Sequence, residues 1–425
     1  MALGVFEHVG HTGQSMNIRD IVGQYAASRA GCIPLVASEN SVSKAVRTLC
    51  ASPVSERYCV GPAAPWRYPG EKYLEEVVSR TTALATIIFG GKTATVAPLS
   101  GSQCVAAIML GICQPGDVVM GLSAADGGHW ALQSMAERMQ CHFEPLPLSG
   151  RSKIDADKLA QAIKARRPRL VMVDPSHSLE AIPPESIRAV LPADIPLFYD
   201  ISHFMGLVPH QYLTNPFLRG VTVLHGSTHK SFFGPQKGLI IFGAEADADL
   251  IKGISVAAEK ILSSNTHLHH VAALGQALEE YEAFGKDYAA TVVKNARIFA
   301  QTLQNKGLAV LSAQNSFTES HHVFVRLDAN AEQVWHGLIA SGIYTNLVRV
   351  PRENSPGFRF GLAEITRLGY SPSEIEEVAS LVADFVKGAG NSGNIKKSVG
   401  ELAQRPRPMK FCFEDSASLH PAFVK

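Results

Sequence analysis

Residues 221–238 read VTVLHGSTHKSFFGPQKG, and the reading of this stretch decides the fold. It begins as a short apolar run, changes to Ser227-Thr228-His229-Lys230, and closes on a Gly-Pro turn. A brief apolar run bounded by turn residues fits a strand covered on both faces. Similar runs lie on either side of it: TATVAPL at 93–99, GDVVMGL at 116–122, RLVMVD at 169–174, IPLFYD at 195–200 and GLIIFG at 238–243. Helical patterns separate several of them, among them CVAAIMLGI, ALQSMAERM and DADKLAQAIKARR. Strands alternating with helices predict an α/β fold with a mostly parallel sheet flanked by helices. In such sheets ligands sit beyond the carboxyl ends of the strands, so the strand-end residues are where chemistry is expected.

Further out, Tyr73, Val77, Leu84 and Ile88 recur at nearly helical spacing before a glycine pair. Near residue 285 the texture changes. A long helical pattern, FGKDYAATVVKNARIFAQTLQNKG, leads into strand-like LAVLSA and HHVFVRLD and two further helical patterns. The expected organisation is an N-terminal arm (1–45), a large α/β domain (46–285), a small α+β domain (286–390) and a linker and tail (391–425). With 425 residues, 46% hydrophobic and 18% charged, the chain has ample material for a core, which excludes a disordered chain or a disulfide scaffold. Lys+Arg 39 against Asp+Glu 38 gives a net charge of +1, so neither nucleic acid nor an anionic membrane is an expected partner. No apolar run reaches the roughly 18–20 residues of a membrane helix. Glu7 interrupts the stretch where a signal peptide would be apolar. Seven scattered cysteines without a C-x-x-C pair predict reduced, mostly buried thiols and a cytoplasmic location.

Three strand-end features carry the chemistry. In IPLFYDISHFMGL an apolar strand ends at Asp200, with His203 three residues on. Alone, Asp200 reads as a capping carboxylate. Lys230 follows a second strand, flanked by hydroxyls and His229. A lysine able to form a Schiff base and a carboxylate able to keep a pyridine nitrogen protonated are what pyridoxal phosphate (PLP) requires. The third feature is Ser100-Gly101-Ser102-Gln103, between a strand and a helix, where backbone N–H groups and hydroxyls make an anion site fit for a phosphate. Each alone is a weak signal. Their order along one α/β unit is not.

With these segments in view, the chain resembles the serine hydroxymethyltransferase family of fold-type-I PLP enzymes. The likeness runs through IPLVASEN (33–40), FGGKTATVAPLSGSQ (89–103), PGDVVMGLSAADGGH (115–129), YDISHFMGLV (199–208), GSTHKSFFGPQKG (226–238) and GFRFGLAEITRLG (357–369). The resemblance implies that Lys230 is the Schiff-base lysine and Asp200 the pyridinium partner. His203 would bond near the cofactor hydroxyl or substrate. Gly101 and Ser102 would bind phosphate, and Ser176, Thr228 and His129 would also line the cofactor. Arg359 would grip the substrate α-carboxylate, a task suited to a bidentate fork. Ser38 and Glu39 match active-site positions, and Tyr58 would be offered across a homodimer interface. Ser264, Asn265 and Thr266 would lie where a phosphate contact crosses that interface. The histidines at 267, 269 and 270 are expected to be structural, and no metal is expected.

Two departures bear on the reaction. Folate-dependent members place a glutamate two residues after the tyrosine matching Tyr58, whereas here that residue is Val60. A paired tyrosine of the same region is replaced in Tyr68-Pro69. The position before the Gly127-Gly128 pair, where the family keeps a ring-stacking histidine, is Asp126. His129 or Trp130 is then left to stack on the cofactor. The D-G-G-H and G-P-Q-K-G forms resemble folate-independent L-threonine transaldolases of specialised metabolism. The implied activity is cleavage of L-threonine, or a related β-hydroxy-α-amino acid, with transfer of the glycyl unit to an aldehyde. The alternatives are a folate-dependent serine or α-substituted-serine hydroxymethyltransferase, an aminotransferase or racemase, and a non-catalytic PLP-fold subunit. Acceptor specificity is expected at 59–66, at 126–130 and at Phe232-Phe233.

Overall fold

The apolar runs assemble into a seven-stranded sheet: β1 (Thr93–Thr95), β2 (Val118–Gly121), β3 (His142–Pro145), β4 (Leu170–Val173), β5 (Leu197–Asp200), β6 (Val223–Ser227) and β7 (Gly238–Phe242). The structure, a computed structural model, describes residues 16–59, 72–209, 214–328, 330–389 and 392–413. The strand order is β1-β7-β6-β5-β4-β2-β3. Neighbours from β3 to β6 are parallel, and only β7 runs antiparallel to both its neighbours. The mostly parallel sheet expected from the alternation is what forms. The edge strand β3 escaped the sequence reading because its residues, His142-Phe143-Glu144-Pro145, carry no apolar run.

Side chains alternate across the sheet, and both faces are buried. Val171, Val173, Leu197, Tyr199, Leu239 and Ile241 enter one apolar cluster. Their neighbours Leu170, Met172, Phe198, Ile240 and Phe242 enter another on the opposite face. Helices supply the covers, as period-2 strands with apolar residues on both faces require. Helices α1 (Lys72–Phe89) and α2 (Gly101–Ile112) lie in these two clusters, and α2 is capped by Ser100, whose hydroxyl accepts from Gln103 N.

A 38-residue helix, α3 (Leu268–Asn305), runs from the first cluster into a third. The third cluster joins Phe299 and Leu303 of α3 to a four-stranded antiparallel sheet of order β10-β11-β9-β8, with β8 (Ala309–Val310), β9 (His322–Arg326), β10 (Asn346–Arg349) and β11 (Pro356–Gly361). Ile33-Pro34 pairs with Ile343-Tyr344, which brings the IPLVASEN segment to this sheet, and Ile33 and Leu35 are buried in its core. Cys59, Cys104, Cys113 and Cys141 are buried. No helix among the described residues is long and apolar enough to cross a membrane.

Candidate active site

Asp200 closes β5, and its Oδ1 accepts from Ser202 N at 2.7 Å. Beside it in register on β6 is His225, fully buried, with Nδ1 3.8 Å from Asp200 Oδ2. Among the described residues neither ring nitrogen of His225 has a hydrogen-bond partner, and burial holds the imidazole below its ordinary pKa against the pull of Asp200. The sequence reading passed over His225, since a histidine inside an apolar strand gives no signal of its own.

Lys230 follows β6 on a loop that is braced from several directions. The Thr228 hydroxyl donates to Pro235 O at 2.5 Å, and Gly234 N to Thr228 O at 2.8 Å. Tyr288 OH donates to Ser231 O at 2.6 Å, and Asn40 Nδ2 to Lys230 O at 2.8 Å. Asn40 belongs to the ASEN segment, so that motif supports the lysine loop through its asparagine. Among the described residues the Lys230 ammonium makes no hydrogen bond. Burial first, with Arg359 adding to it and Asp200 opposing, lowers its pKa.

Gly101 begins α2 against the same strand end. A Cβ at Gly101 would sit 2.4 Å from Ser227 Oγ, so only glycine lets the helix start approach β6 this closely. Ser102, one residue on, is exposed. Behind them the buried Lys237 donates to Ala97 O, Pro98 O and Thr266 O at 3.4, 3.3 and 2.9 Å. It ties the approach to α2 to the segment preceding α3. Burial lowers its pKa to about 7, and sequence reading gave it no role.

On the far side stands Arg359, in β11 and 7% exposed. Its Nη1 donates to Ser176 O at 3.1 Å and its Nη2 to Asn346 Oδ1 at 3.1 Å, while the buried Nε has no partner. Desolvation brings its pKa down to about 10, so it remains a cation at neutral pH. A fixed fork with N–H groups to spare, the one on Nε among them, is ready for a carboxylate. His177, which follows Ser176, is pushed down to about 3 by burial, with Arg359 the next cause.

His129 caps the helix Trp130–Arg138, its Nδ1 accepting from Ala131 N, and its own backbone N–H donates to Asp174. Asp174 is a buried carboxylate that also accepts from Leu122 N, and it holds both ends of the 122–129 turn. Burial lowers the His129 pKa, with Asp200, Lys230 and Arg359 also acting on the ring. Trp130 stacks on His129 at 5.1 Å between ring centroids but is 64% exposed. Asp126 is turned elsewhere: its carboxylate accepts from Ser123 Oγ at 2.6 Å and pairs with Arg352 at 3.4 Å.

The family model for serine hydroxymethyltransferase matches residues 12–382. The chain belongs to the serine hydroxymethyltransferase family. Serine hydroxymethyltransferase from Methanopyrus kandleri is 34% identical over 401 residues, covering 92% of this chain and 93% of that one. That from Methanocaldococcus jannaschii is 32% identical over 425 residues, covering 94% and 96%. Among solved structures, L-threonine transaldolase from Pseudomonas fluorescens superposes with a TM-score of 0.89 at 30% identity over 94% of each chain.

The protein is therefore a PLP-dependent transferase of fold type I. The residues present fit PLP: a strand-end aspartate and a lysine follow neighbouring strands, a glycine-started helix opens beside them, and among the described residues neither the Lys230 ammonium nor the buried Arg359 Nε has a hydrogen-bond partner. The other residues expected in a serine hydroxymethyltransferase site are distributed less evenly. His203 is buried, its Nδ1 3.2 Å from His321 Nε2 and 3.1 Å from His322 Nε2, two histidines that sequence reading took only as strand. The Thr228 proton is spent inside the lysine loop. Ser176 is buried and touches Arg359 through its carbonyl. Ser38 is half-buried, and Glu39 is exposed and paired with Arg29 at 3.0 Å. Tyr58 is 45% exposed; the residues around it reach the pre-α3 segment, where Asn265 donates to Arg57 O and the Cys59 thiol lies 3.6 Å from Thr266 Oγ1. Val60, Trp66, Tyr68 and Pro69 lie outside the described residues.

Proposed function

We propose that this protein is a transaldolase that cleaves L-threonine, or a related β-hydroxy-α-amino acid, and transfers the glycyl unit to an aldehyde. The observation that carries the reading is Val60. Two residues after Tyr58, where folate-dependent relatives are expected to keep a glutamate, this chain has a side chain that cannot move a proton. Likeness to the Pseudomonas fluorescens L-threonine transaldolase across 94% of both chains supports it. So does Asp126, held by Ser123 and Arg352 at the position where a stacking imidazole is expected.

PLP, when bound, supplies an electron sink for the bonds around the substrate Cα. The protein's task is to hold and orient. Lys230 would anchor the cofactor aldehyde, and its lowered pKa raises the share of neutral amine able to do so. Asp200 would keep a proton on the ring nitrogen. Gly101 and Ser102 would bind the phosphate at the start of α2, where the helix dipole favours an anion. His129 would lie against the ring, with His203, Ser176 and Thr228 around its edge. Arg359 would take the substrate carboxylate on Nε while Ser176 O and Asn346 keep the guanidinium plane fixed. Ser38 would contact substrate, and Glu39 and Tyr58 would supply acid–base groups near the entrance. Excluding water around the substrate would favour transfer to an aldehyde over protonation.

We extend the reading to a cytoplasmic homodimer in which Tyr58 serves the partner's site, with the arm, large domain, small domain and tail divided at about residues 45, 285 and 390. A second reading, folate-dependent hydroxymethyl transfer from serine or an α-substituted serine, is favoured by the names of the relatives from Methanopyrus kandleri and Methanocaldococcus jannaschii. Acetaldehyde release from threonine separates the two. The transaldolase reading expects release without folate and little serine cleavage; strict dependence on tetrahydrofolate would overturn it.

A further inference from the structure

Three buried histidines meet between the end of β5 and the start of β9. His203 lies three residues past the end of β5, His322 opens β9 and His321 directly precedes it. All three are at most 3% exposed, and one ring nitrogen from each lies within 4.8 Å of the others. The histidines at 267, 269 and 270 are near neighbours in sequence, yet among the described residues only the 203, 321 and 322 group brings three such donor atoms together. We propose that His203, His321 and His322 form a site for a divalent transition metal of the zinc type, clamping the two sheets together.

Proton accounting makes the case. His322 Nδ1 lies 2.9 Å from Ser178 O, and a carbonyl only accepts, so the proton is on Nδ1 and His322 Nε2 carries a bare lone pair. That lone pair points at His203 Nδ1, 3.1 Å away. His203 Nδ1 also lies 3.2 Å from His321 Nε2. One proton on His203 Nδ1 serves only one of these two neighbours well. The remaining arrangement leaves lone pairs facing each other, and His321 Nδ1 is buried without a partner as well.

A cation at the centre resolves the mismatch by taking a lone pair from each ring. The carbonyl on the far nitrogen of His322 is the kind of outer contact that fixes a metal-binding tautomer. The two measured nitrogen separations are close to the roughly 3.3 Å edge of a tetrahedron with bonds of about 2.0–2.1 Å. Three neutral imidazoles suit Zn²⁺, Co²⁺, Ni²⁺ or Cu²⁺ over Mg²⁺ or Ca²⁺, and leave a fourth position for water. Bound there, the metal would lock the His203 ring and present its Nε2 edge in one orientation.

The test is Co²⁺ titration of chelator-treated holoenzyme without amino acid, read by the visible d–d bands of tetrahedral Co²⁺ and by metal analysis. The proposal expects one Co²⁺ per chain, displaced by Zn²⁺. His322→Leu, checked for normal circular dichroism and PLP content, should weaken binding by at least about 100-fold. His269→Ala should leave it unchanged. The wild-type titration decides the matter even if His322→Leu folds poorly. Absence of stoichiometric Co²⁺ binding in the wild type overturns the proposal, as does binding that survives His322→Leu and disappears in His269→Ala.

Discussion

The two cations of the site are held in opposite ways. Lys230 stands on a rigid loop with a loose end: Thr228, Asn40 and Tyr288 fix the backbone, and among the described residues the ammonium makes no hydrogen bond. Arg359 sits inside a strand with a rigid end, two of its nitrogens bonded across to Ser176 and Asn346. A group that must leave its partner and return requires side-chain freedom on a fixed base. A group that selects one carboxylate geometry requires the reverse. On the proposed function, the contrast would give the lysine side of the site to chemistry and the arginine side to recognition.

Mutations at the two poles break or sharpen that division. Lys230→Ala should cost on the order of 10⁴-fold in kcat and remove the borohydride-reducible link to PLP, measured by turnover and mass spectrometry. Next comes the base of the lysine loop. There Arg367 pairs with Glu280 at 2.6 Å, both at most 1% exposed, and stacks 3.8 Å over Phe233. Glu280→Ala leaves a buried guanidinium without its counter-ion, with only the Lys410 and Phe411 carbonyls to bond, and should lower unfolding stability by about 3–5 kcal/mol in denaturant titration. Arg359→Lys keeps the charge and loses the fork. It should raise KM for threonine roughly 10- to 100-fold with a smaller change in kcat, whereas an equal fall in kcat would move Arg359 to the chemical side.

Acidification probes both poles together. Burial is the first cause of lowered pKa at His229 beside Lys230, to about 4, and at His177 beside Arg359, to about 3. The unfolded chain takes up protons below about pH 6.5 that the folded chain refuses, so stability falls with pH from there. Each imidazole adds a slope of up to about 1.4 kcal/mol per pH unit, ending sooner for His229 than for His177. Thermal unfolding between pH 7 and pH 4 reads the slope, and His177→Gln should flatten it. The smallest effect is expected from Tyr288→Phe, which removes one brace of the lysine loop and should cost about 1 kcal/mol.

The lysine side was legible in the sequence because its signals are local. A strand end, two hydroxyls, a lysine and a Gly-Pro turn fall within eighteen residues, and the six apolar runs quoted for the large sheet all became strands. What escaped depends on partners far away in the chain. Asn40 meets Lys230 across 190 residues, and His322 meets His203 across 119. The long helix begins at Leu268, sixteen residues before the pattern quoted for it at Phe284. Gly275 lies in that earlier part of the helix. In the fold it is a contact point, since a Cβ would lie 2.6 Å from Thr81 Oγ1 on α1.

The most direct test of the central claim follows the glycyl carbons themselves. Threonine labelled with ¹³C at C1 and C2 is incubated with the holoenzyme and a panel of aldehydes, without folate, and the products are analysed by mass spectrometry. The account predicts a new β-hydroxy-α-amino acid that carries both labelled carbons and the side chain of the added aldehyde. Labelled glycine and acetaldehyde alone, with no labelled aldehyde adduct from any member of the panel, would contradict it.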